Sequence, residues 1–190
     1  VRNAMSFFTG TSIALGAREQ HSETDARFSG SASQRRKLHA YEVALRQDVG
    51  PKISIFARTG SSFRLQNVDE LRPPFLSTTP TLLEPQTARD LDIGMNYSAE
   101  RFSGSLTLFR IRLENEIMFH PSAANNINLP PTERRGVELD GRWKASSVWS
   151  LESRYTFTDA RFLSGTVGGS QWQAKRFHWF PRIGHRSLPF

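Results

Sequence analysis

The sequence predicts an all-β chain: an antiparallel, up-and-down segment of a transmembrane β-barrel, about seven to eight strands long. Three observations carry that expectation. Hydrophobicity alternates with a period of two over long stretches. The connections between those stretches alternate long and short. The composition is rich in aromatics yet poor in hydrophobics, with 14 Phe and 4 Trp against a hydrophobic share of 37% and a mean hydropathy of −0.48.

The elements follow in order. Phe7–Ala17 reads as a strand with Phe7, Thr9, Thr11, Ile13 and Leu15 on one face. A polar stretch, Arg18–Lys37, reads as a long connection. In His39–Arg46, Tyr41, Val43 and Leu45 oppose Glu42 and Arg46. Only Gly50-Pro51 separates this strand from Lys52–Ser62, where Ile53, Ile55 and Ala57 oppose Ser54, Phe56 and Arg58. The long Arg64–Pro85 connection follows. Arg89–Tyr97 sets Leu91, Ile93, Met95 and Tyr97 against Asp90, Asp92, Gly94 and Asn96. A helix would scatter those acids around its circumference, so strict alternation argues strand. After the short Ser98–Arg101, Phe102–Arg112 is a strand by propensity. His120–Pro131 is long again. Gly136–Trp143 and Trp149–Thr158 alternate strictly, joined by a short turn at Ala145–Ser147, and a Gly-rich connection runs from Ser164 to Gln171. Lys175–Phe190, with two prolines, promises a poor strand.

Long and short connections in alternation place the two ends of the sheet in different environments, as in membrane barrels. The alternative is a soluble β-sandwich or small closed barrel, which also alternates but buries its apolar face and uses shorter strands.

Several chemistries are excluded or disfavoured. Cys is 0, so there is no disulfide scaffold and no thiol nucleophile. No run is long and apolar enough for a transmembrane helix. The Ala4–Ala17 stretch is broken by polar residues and preceded by only one basic residue, Arg2, so no signal peptide is expected. The five histidines are scattered without metal-ligand spacing. Gly165–Gly169 lacks the Lys-Ser/Thr end of a phosphate loop, and Ser61 and Ser62 lack a nucleophile-elbow context. No catalytic, cofactor-binding or metal-binding residues are expected. The formal charge of +7 comes from 25 basic residues, of which only Lys37, Lys52, Lys144 and Lys175 are lysine. They are spread along the chain without an aromatic platform, so no nucleic acid is expected as partner. Asp90 with Asp92, and Glu138 with Asp140, are i, i+2 carboxylates of a kind that can serve acid–base work or bind calcium, and the stronger reading is a lumen wall, with Arg142, Arg154 and Arg110 as ladder partners. Tyr97, Phe102, Trp143, Trp149 and Tyr155 are read near strand ends by the short turns, either as girdle residues or as ordinary sheet packing. The basic runs Arg35-Arg36-Lys37 and Arg134-Arg135 could meet lipopolysaccharide at an outer rim.

Five blocks in order resemble the C-terminal barrel of TonB-dependent outer-membrane receptors. They are Ser54–Leu71 with its Phe63-Arg64-x-x-Asn67-x-x-Glu70-Leu71 loop; Leu83-Glu84-Pro85-Gln86 running into Asp90–Gly94; Ser105–Ile117; Asn128–Leu139 with Arg135-Gly136-x-Glu138; and Tyr155–Phe162. Gln86 and Asp92 stand where the family commonly has Glu. The resemblance covers about residues 38 to 166. It implies a partial receptor barrel over 1–169 followed by an off-pattern tail over 170–190, without the plug domain or TonB box. It implies outer-membrane location and energy-coupled uptake of a ferric siderophore, cobalamin or similar chelate, with these residues alone not transport-competent. Partners implied are membrane lipid, lipopolysaccharide, the plug and TonB. Substrate-contacting candidates in the loops are Arg64, Asn67, Glu70, Asn125, Asn126 and Asn128. The other reading is a small independent outer-membrane barrel or structural protein of about eight strands.

Overall fold

A computed structural model of the chain describes residues 2–5, 10–27, 31–71, 82–121, 125–164 and 173–185. Its strands are β1 (Arg2–Met5), β2 (Thr11–Arg27), β3 (Ser31–Asp48), β4 (Ile53–Arg64), β5 (Gln86–Ser98), β6 (Phe102–Glu114), β7 (Ile117–His120), β8 (Asn125–Asn128), β9 (Thr132–Lys144), β10 (Trp149–Phe162) and β11 (Gln173–His185). One helical turn, α1 (Val68–Leu71), follows β4. Nine strands form an antiparallel sheet in the order β1-β2-β3-β4-β5-β6-β9-β10-β11, and β7-β8 is a separate hairpin between β6 and β9. No pairing among the described residues joins β1 to β11, so the sheet is open. Eight of its strands run 12 to 18 residues, and β1, at four, is a short ninth at the edge.

Two expectations are corrected. Most of Arg18–Lys37 is strand and not loop: β2 and β3 pair continuously from Thr11↔Gln47 to Arg27↔Ser31. Beyond Ala17↔Tyr41 their cross-strand partners turn from apolar to charged. Glu19 reaches Lys37 at 3.2 Å and Glu23 reaches Arg35 at 2.8 Å. Cross-strand ion pairs and backbone pairing sustain a ladder without an apolar face once the hairpin is begun below. The residues after 173 also make a strand, against expectation: β11 pairs with β10 over the whole of Trp149–Arg161 and past the boundary expected at 169. Pro181 is tolerated because β11 is an edge strand, paired on one side only. Phe7, Thr9 and most of the Ser164–Gln171 connection lie outside the described residues.

The register resolves two faces. Residues directly opposite across a ladder share a face. One unbroken row, Ile13–Leu45–Ala57–Ile93–Leu108–Val137–Phe157, crosses seven strands on one face. This apolar face is open to the surroundings, with Leu45 45%, Ile93 51% and Leu108 52% exposed. The opposite face carries Glu42, Arg58, Asp92 and Glu138.

The apolar band crosses the sheet obliquely. On β2 and β3 it reaches up to Ala17 and Tyr41 before Glu19 and His39; on β4 and β5, to Thr59 and Leu91 before Ser61 and Arg89. On β6, β9 and β10 it stops at Leu108, Val137 and Phe157, before Arg110, Arg135 and Asp159. In the common ladder Tyr41 is level with Ser61, Arg89 and Arg112, so the upper edge drops two ladder steps across the sheet. Two steps are roughly 13 Å, and the strands between carry the edge roughly 20 Å sideways. The slope is therefore about 30–35°, close to the ~35–45° tilt of membrane-barrel strands. The lower edge falls the same way, from Ile13 and Leu45 to Ile53 and Tyr97 and then to Phe102 and Trp143.

The two ends of the sheet differ. At the lower end, turns close tightly: Val49 N–H to Ile53 O at 2.9 Å, Ala99 N–H to Phe102 O at 2.7 Å and Ala145 N–H to Trp149 O at 3.0 Å. At the upper end the long connections fold onto the sheet, and the described residues bury Leu83, Leu113, Ile117 and Leu129 there. Two glycines admit aromatic rings on the charged face. Phe56 lies over Gly94 and Phe109 over Gly136, and a Cβ on Gly136 would also overlap Phe157 O.

Candidate functional site

The six carboxylates and arginines read as a wall, Asp90, Asp92, Glu138, Asp140, Arg142 and Arg154, all lie on the charged face. They form two clusters. In the first, Arg58 of β4 reaches Glu42 of β3 at 3.3 Å, Asp92 of β5 at 3.0 Å and Asp90 at 3.3 Å. In the second, Arg154 donates to Asp140 at 2.5 Å and Arg142 reaches Glu152 at 3.3 Å. The second cluster borders a groove of 830 Å³ near the lower end, also lined by Asn96, Ser103 and Ser105. Each arginine of these two clusters is held by at least one carboxylate of a neighbouring strand. No cluster of potential metal ligands occurs among the described residues.

Arg64, Asn67 and Glu70 come together above β4 and bind one another. Asn67 Oδ1 accepts the Glu70 N–H at 2.8 Å, and Glu70 Oε2 accepts the Asn67 N–H at 2.8 Å. This reciprocal pair is a capping box at the start of α1. Arg64 Nη1 donates to both Glu70 oxygens at 2.9 and 3.0 Å, tying the turn back to the strand end. The spacing Arg-x-x-Asn-x-x-Glu thus has a structural cause: Asn at the cap and Glu three residues on are what such a box requires.

Asn125, Asn126 and Asn128 lie on β8, paired with β7. Asn125 Oδ1 accepts the Asn126 N–H at 2.9 Å. Asn128 is a bridge: its amide donates to Glu84 O at 3.0 Å and Asn115 O at 2.9 Å, and its Oδ1 accepts the Glu84 N–H at 2.9 Å. It thereby joins the 82–85 connection to Asn115, a residue in the left-handed region at φ 56°. Arg36 pairs with Glu84 as well, so the upper ends of β3, β8 and this connection are linked. The loop candidates therefore fall into two groups, the β4–α1 corner and the β8 bridge, and Gln86 lies between them, its Oε1 accepting from Arg64 Nε and from the Ile117 N–H at 3.4 Å each.

Three placements differ from the sequence reading. Arg110 is not on the charged face; its ladder partners are Leu91 and Arg135, on the apolar side. Tyr155 is opposite Leu139 within the band, well away from the turn. Arg134 and Arg135 point to opposite faces, Arg134 pairing with Glu116 and Arg135 with Asp159 at 3.3 Å. The other four aromatics do stand on the apolar face by the short turns. Tyr97 and Phe102 have ring centroids 5.9 Å apart, and Trp143 and Trp149 are half exposed.

A further group was missed in the sequence. Directly above the apolar band, Glu133 is 1% exposed and held by Arg110 Nε at 2.7 Å and Arg161 at 2.8 Å, with Arg112 at 3.9 Å. The signal was phase. Arg110 and Arg112 continue the parity of Leu106 and Leu108, Glu133 and Arg135 that of Val137 and Leu139, and Asp159 and Arg161 that of Tyr155 and Phe157.

An open antiparallel sheet with an exposed oblique apolar band and a charged opposite face is the wall of a larger barrel. The family described as TonB dependent receptor-like, beta-barrel matches residues 1–183. The chain belongs to the TonB-dependent receptor β-barrel family. Solved TonB-dependent receptors share its fold. The copper transporter OprC superposes with a TM-score of 0.71 at 14% identity, covering 86% of this chain and 28% of that one. The ferripyoverdine receptor of the Pseudomonas aeruginosa outer membrane gives 0.68 at 18% identity, covering 95% and 24%. The siderophore receptor PirA from Pseudomonas aeruginosa gives 0.66 at 12%, covering 95% and 37%. No curated protein matches the chain in sequence. The chain spans between 24% and 37% of the length of these receptors. TonB-dependent receptors and these neighbours are transporters and receptors, not enzymes.

Proposed function

We propose that these residues form part of the outer-membrane barrel wall of a TonB-dependent receptor for energy-coupled uptake of a metal chelate, such as a ferric siderophore or cobalamin. The apolar band faces lipid, the face bearing Asp90, Asp92, Glu138, Asp140, Arg142 and Arg154 faces the lumen and plug, and the long-connection end is extracellular. The oblique band carries this reading. A soluble sandwich has no reason to expose its apolar face, and none to slope that face at the tilt of a membrane strand. Siderophore and copper receptors both appear among the structural neighbours, and the described loop residues carry no chemistry that selects one chelate. A chelate would be held by plug and outer loops together, with the TonB contact made through the plug.

The test is expression behind an export signal in a Gram-negative host that lacks its own receptor for a chosen ferric siderophore. The chain is expected in the outer-membrane fraction, with no restoration of uptake. Recovery in the soluble fraction contradicts the membrane reading. Restored uptake contradicts the assignment of these residues to the wall alone.

A further inference from the structure

We propose that the part of the β2–β3 hairpin standing beyond the apolar band is a docking edge for an extended, acidic segment of a partner protein, which adds to β3 as one more strand. The inference goes beyond the barrel wall and takes from it only that the upper end faces the outside.

The site begins where two strands part. β3 pairs with β4 only from Asp48↔Ser54 to Tyr41↔Ser61. Above that row each strand keeps its other neighbour: β4 stays with β5 up to Arg64↔Gln86, and β3 stays with β2 up to Arg27↔Ser31. From Ser31 to Ala40 the β4-side edge of β3 has no backbone partner among the described residues. That edge is roughly 30 Å long. A cleft of 450 Å³ lies at the fork, with Arg18, Ala40, Tyr41, Ser61 and Ser62 in its lining. Two contacts fix the ribbon beside the fork: Arg18 of β2 lies over the Phe63 ring at 5.2 Å, and Arg36 pairs with Glu84. Within the ribbon, the Glu19–Lys37 and Glu23–Arg35 ion pairs hold β2 to β3. The edge is therefore set before anything binds, and backbone N–H and C=O groups along it give an added strand its hydrogen bonds.

Charge selects the occupant. Arg35 and Lys37 stand on one face of β3 with side chains 81% and 54% exposed, and Arg36 takes the other face. Their carboxylates, Glu23 and Glu19, come from β2 on the far side, so the side of β3 turned to the fork is cationic. Both cations keep N–H donors beyond those used on these carboxylates. A strand with an acid at every second residue places carboxylates beside Arg35 and Lys37, so that each cation lies between two acids in one cross-strand row. A basic strand, or β3 of a second copy, sets like charges side by side and is rejected. The connection after α1 is no candidate: Arg72–Thr81 holds no acid and has Pro73, Pro74 and Pro80.

The test titrates the full chain in phosphatidylcholine vesicles with short fluorescent peptides of alternating Thr-Glu, of alternating Thr-Gln, and of Thr-Glu N-methylated throughout, read by anisotropy. The Thr-Glu peptide is expected to bind roughly tenfold more tightly than either of the others. The advantage is lost in Arg35→Gln/Lys37→Gln and persists in Lys175→Gln/Arg182→Gln, which removes as much charge from the β11 edge. Equal binding of the N-methylated peptide by the unaltered chain overturns strand addition, and equal binding of the Thr-Gln peptide overturns the acidic partner, whatever the variants do. Equal loss in both double variants overturns the proposal as well. So does cross-linking that shows two chains joined through Arg35 and Lys37 without peptide binding. A chain that stays out of the vesicles yet binds Thr-Glu with this preference overturns the membrane reading alone. One that enters them and shows no preference overturns this proposal alone.

Discussion

A single substitution reports which face of the sheet meets which solvent. Ile93 and Asp92 are neighbours in β5 on opposite faces. In a bilayer, lysine at the midplane of the lipid face costs about 2–4 kcal/mol, whereas the polar side tolerates charge. Ile93→Lys is therefore expected to lower stability in lipid by that amount, and Asp92→Asn by less, because Arg58 keeps Glu42 and Asp90 as partners. Urea titration of the vesicle-inserted chain reads both. At the β4–α1 corner, Asn67→Ala removes one capping acceptor, typically worth about 1 kcal/mol. Glu70→Ala removes the reciprocal acceptor and the anchor for Arg64 together, so it is expected to cost more than Asn67→Ala and to raise hydrogen exchange at the α1 amides. Equal exchange in both variants and the unaltered chain would count against the capping box. These three residues were legible as a motif but not as a lock, because mutual satisfaction of Asn67 and Glu70 depends on a backbone turn that spacing alone does not specify.

At the scale of elements, strand existence was legible wherever one face is apolar. Ile53 to Ala57, Leu91 to Tyr97 and Trp149 to Phe157 all lie in strands with the predicted alternation. The reading failed where both faces are polar. Arg18–Lys37 offers no apolar phase, yet Arg18–Arg27 and Ser31–Lys37 are strand, because β2 and β3 continue their ladder past the band on ion pairs such as Glu23–Arg35. Arg110 was misplaced for a related reason: the eye pairs charge with charge, whereas strand parity ties Arg110 to Leu106 and Leu108. The tail from Gln173 was undervalued because a proline weighs against a central strand but not against an edge. Glycine placement gives the prediction proper to this scale. Gly136 sits beneath Phe109, and any Cβ there would overlap Phe157 O. Gly136→Val must displace backbone, so it is expected to abolish the protease-resistant form of the inserted chain. Gly141→Val, where a Cβ meets nothing within 4 Å, is expected to leave it intact. Equal resistance in the two variants would contradict the close approach of the Phe109 ring and the β10 backbone to Gly136.

On the scale of the whole molecule, the features converge on one geometry. The sheet is open, its long connections gather at one end and its tight turns at the other, and its apolar band slopes at about the tilt of membrane strands. Each property is ordinary alone; together they make sense when further strands close the wall and lipid covers the outer face. In isolation the unpaired edges at β1 and β11 are a liability for association, so the sheet is expected to form larger species in detergent unless strand partners are supplied, which size-exclusion chromatography reads. Orientation of the two faces is the claim on which the rest depends. The absence of cysteine allows it to be measured cleanly, by single-cysteine spin labelling of the chain inserted in vesicles at Ile55, Ile93, Leu106 and Leu139 on one face and Ser54, Asp92, Thr107 and Asp140 on the other. The labels at the first four sites are expected to be accessible to dissolved oxygen and shielded from a water-soluble nickel chelate, and those at the second four to show the reverse. Chelate access at all eight sites, or an inverted alternation, would contradict a lipid-facing apolar band.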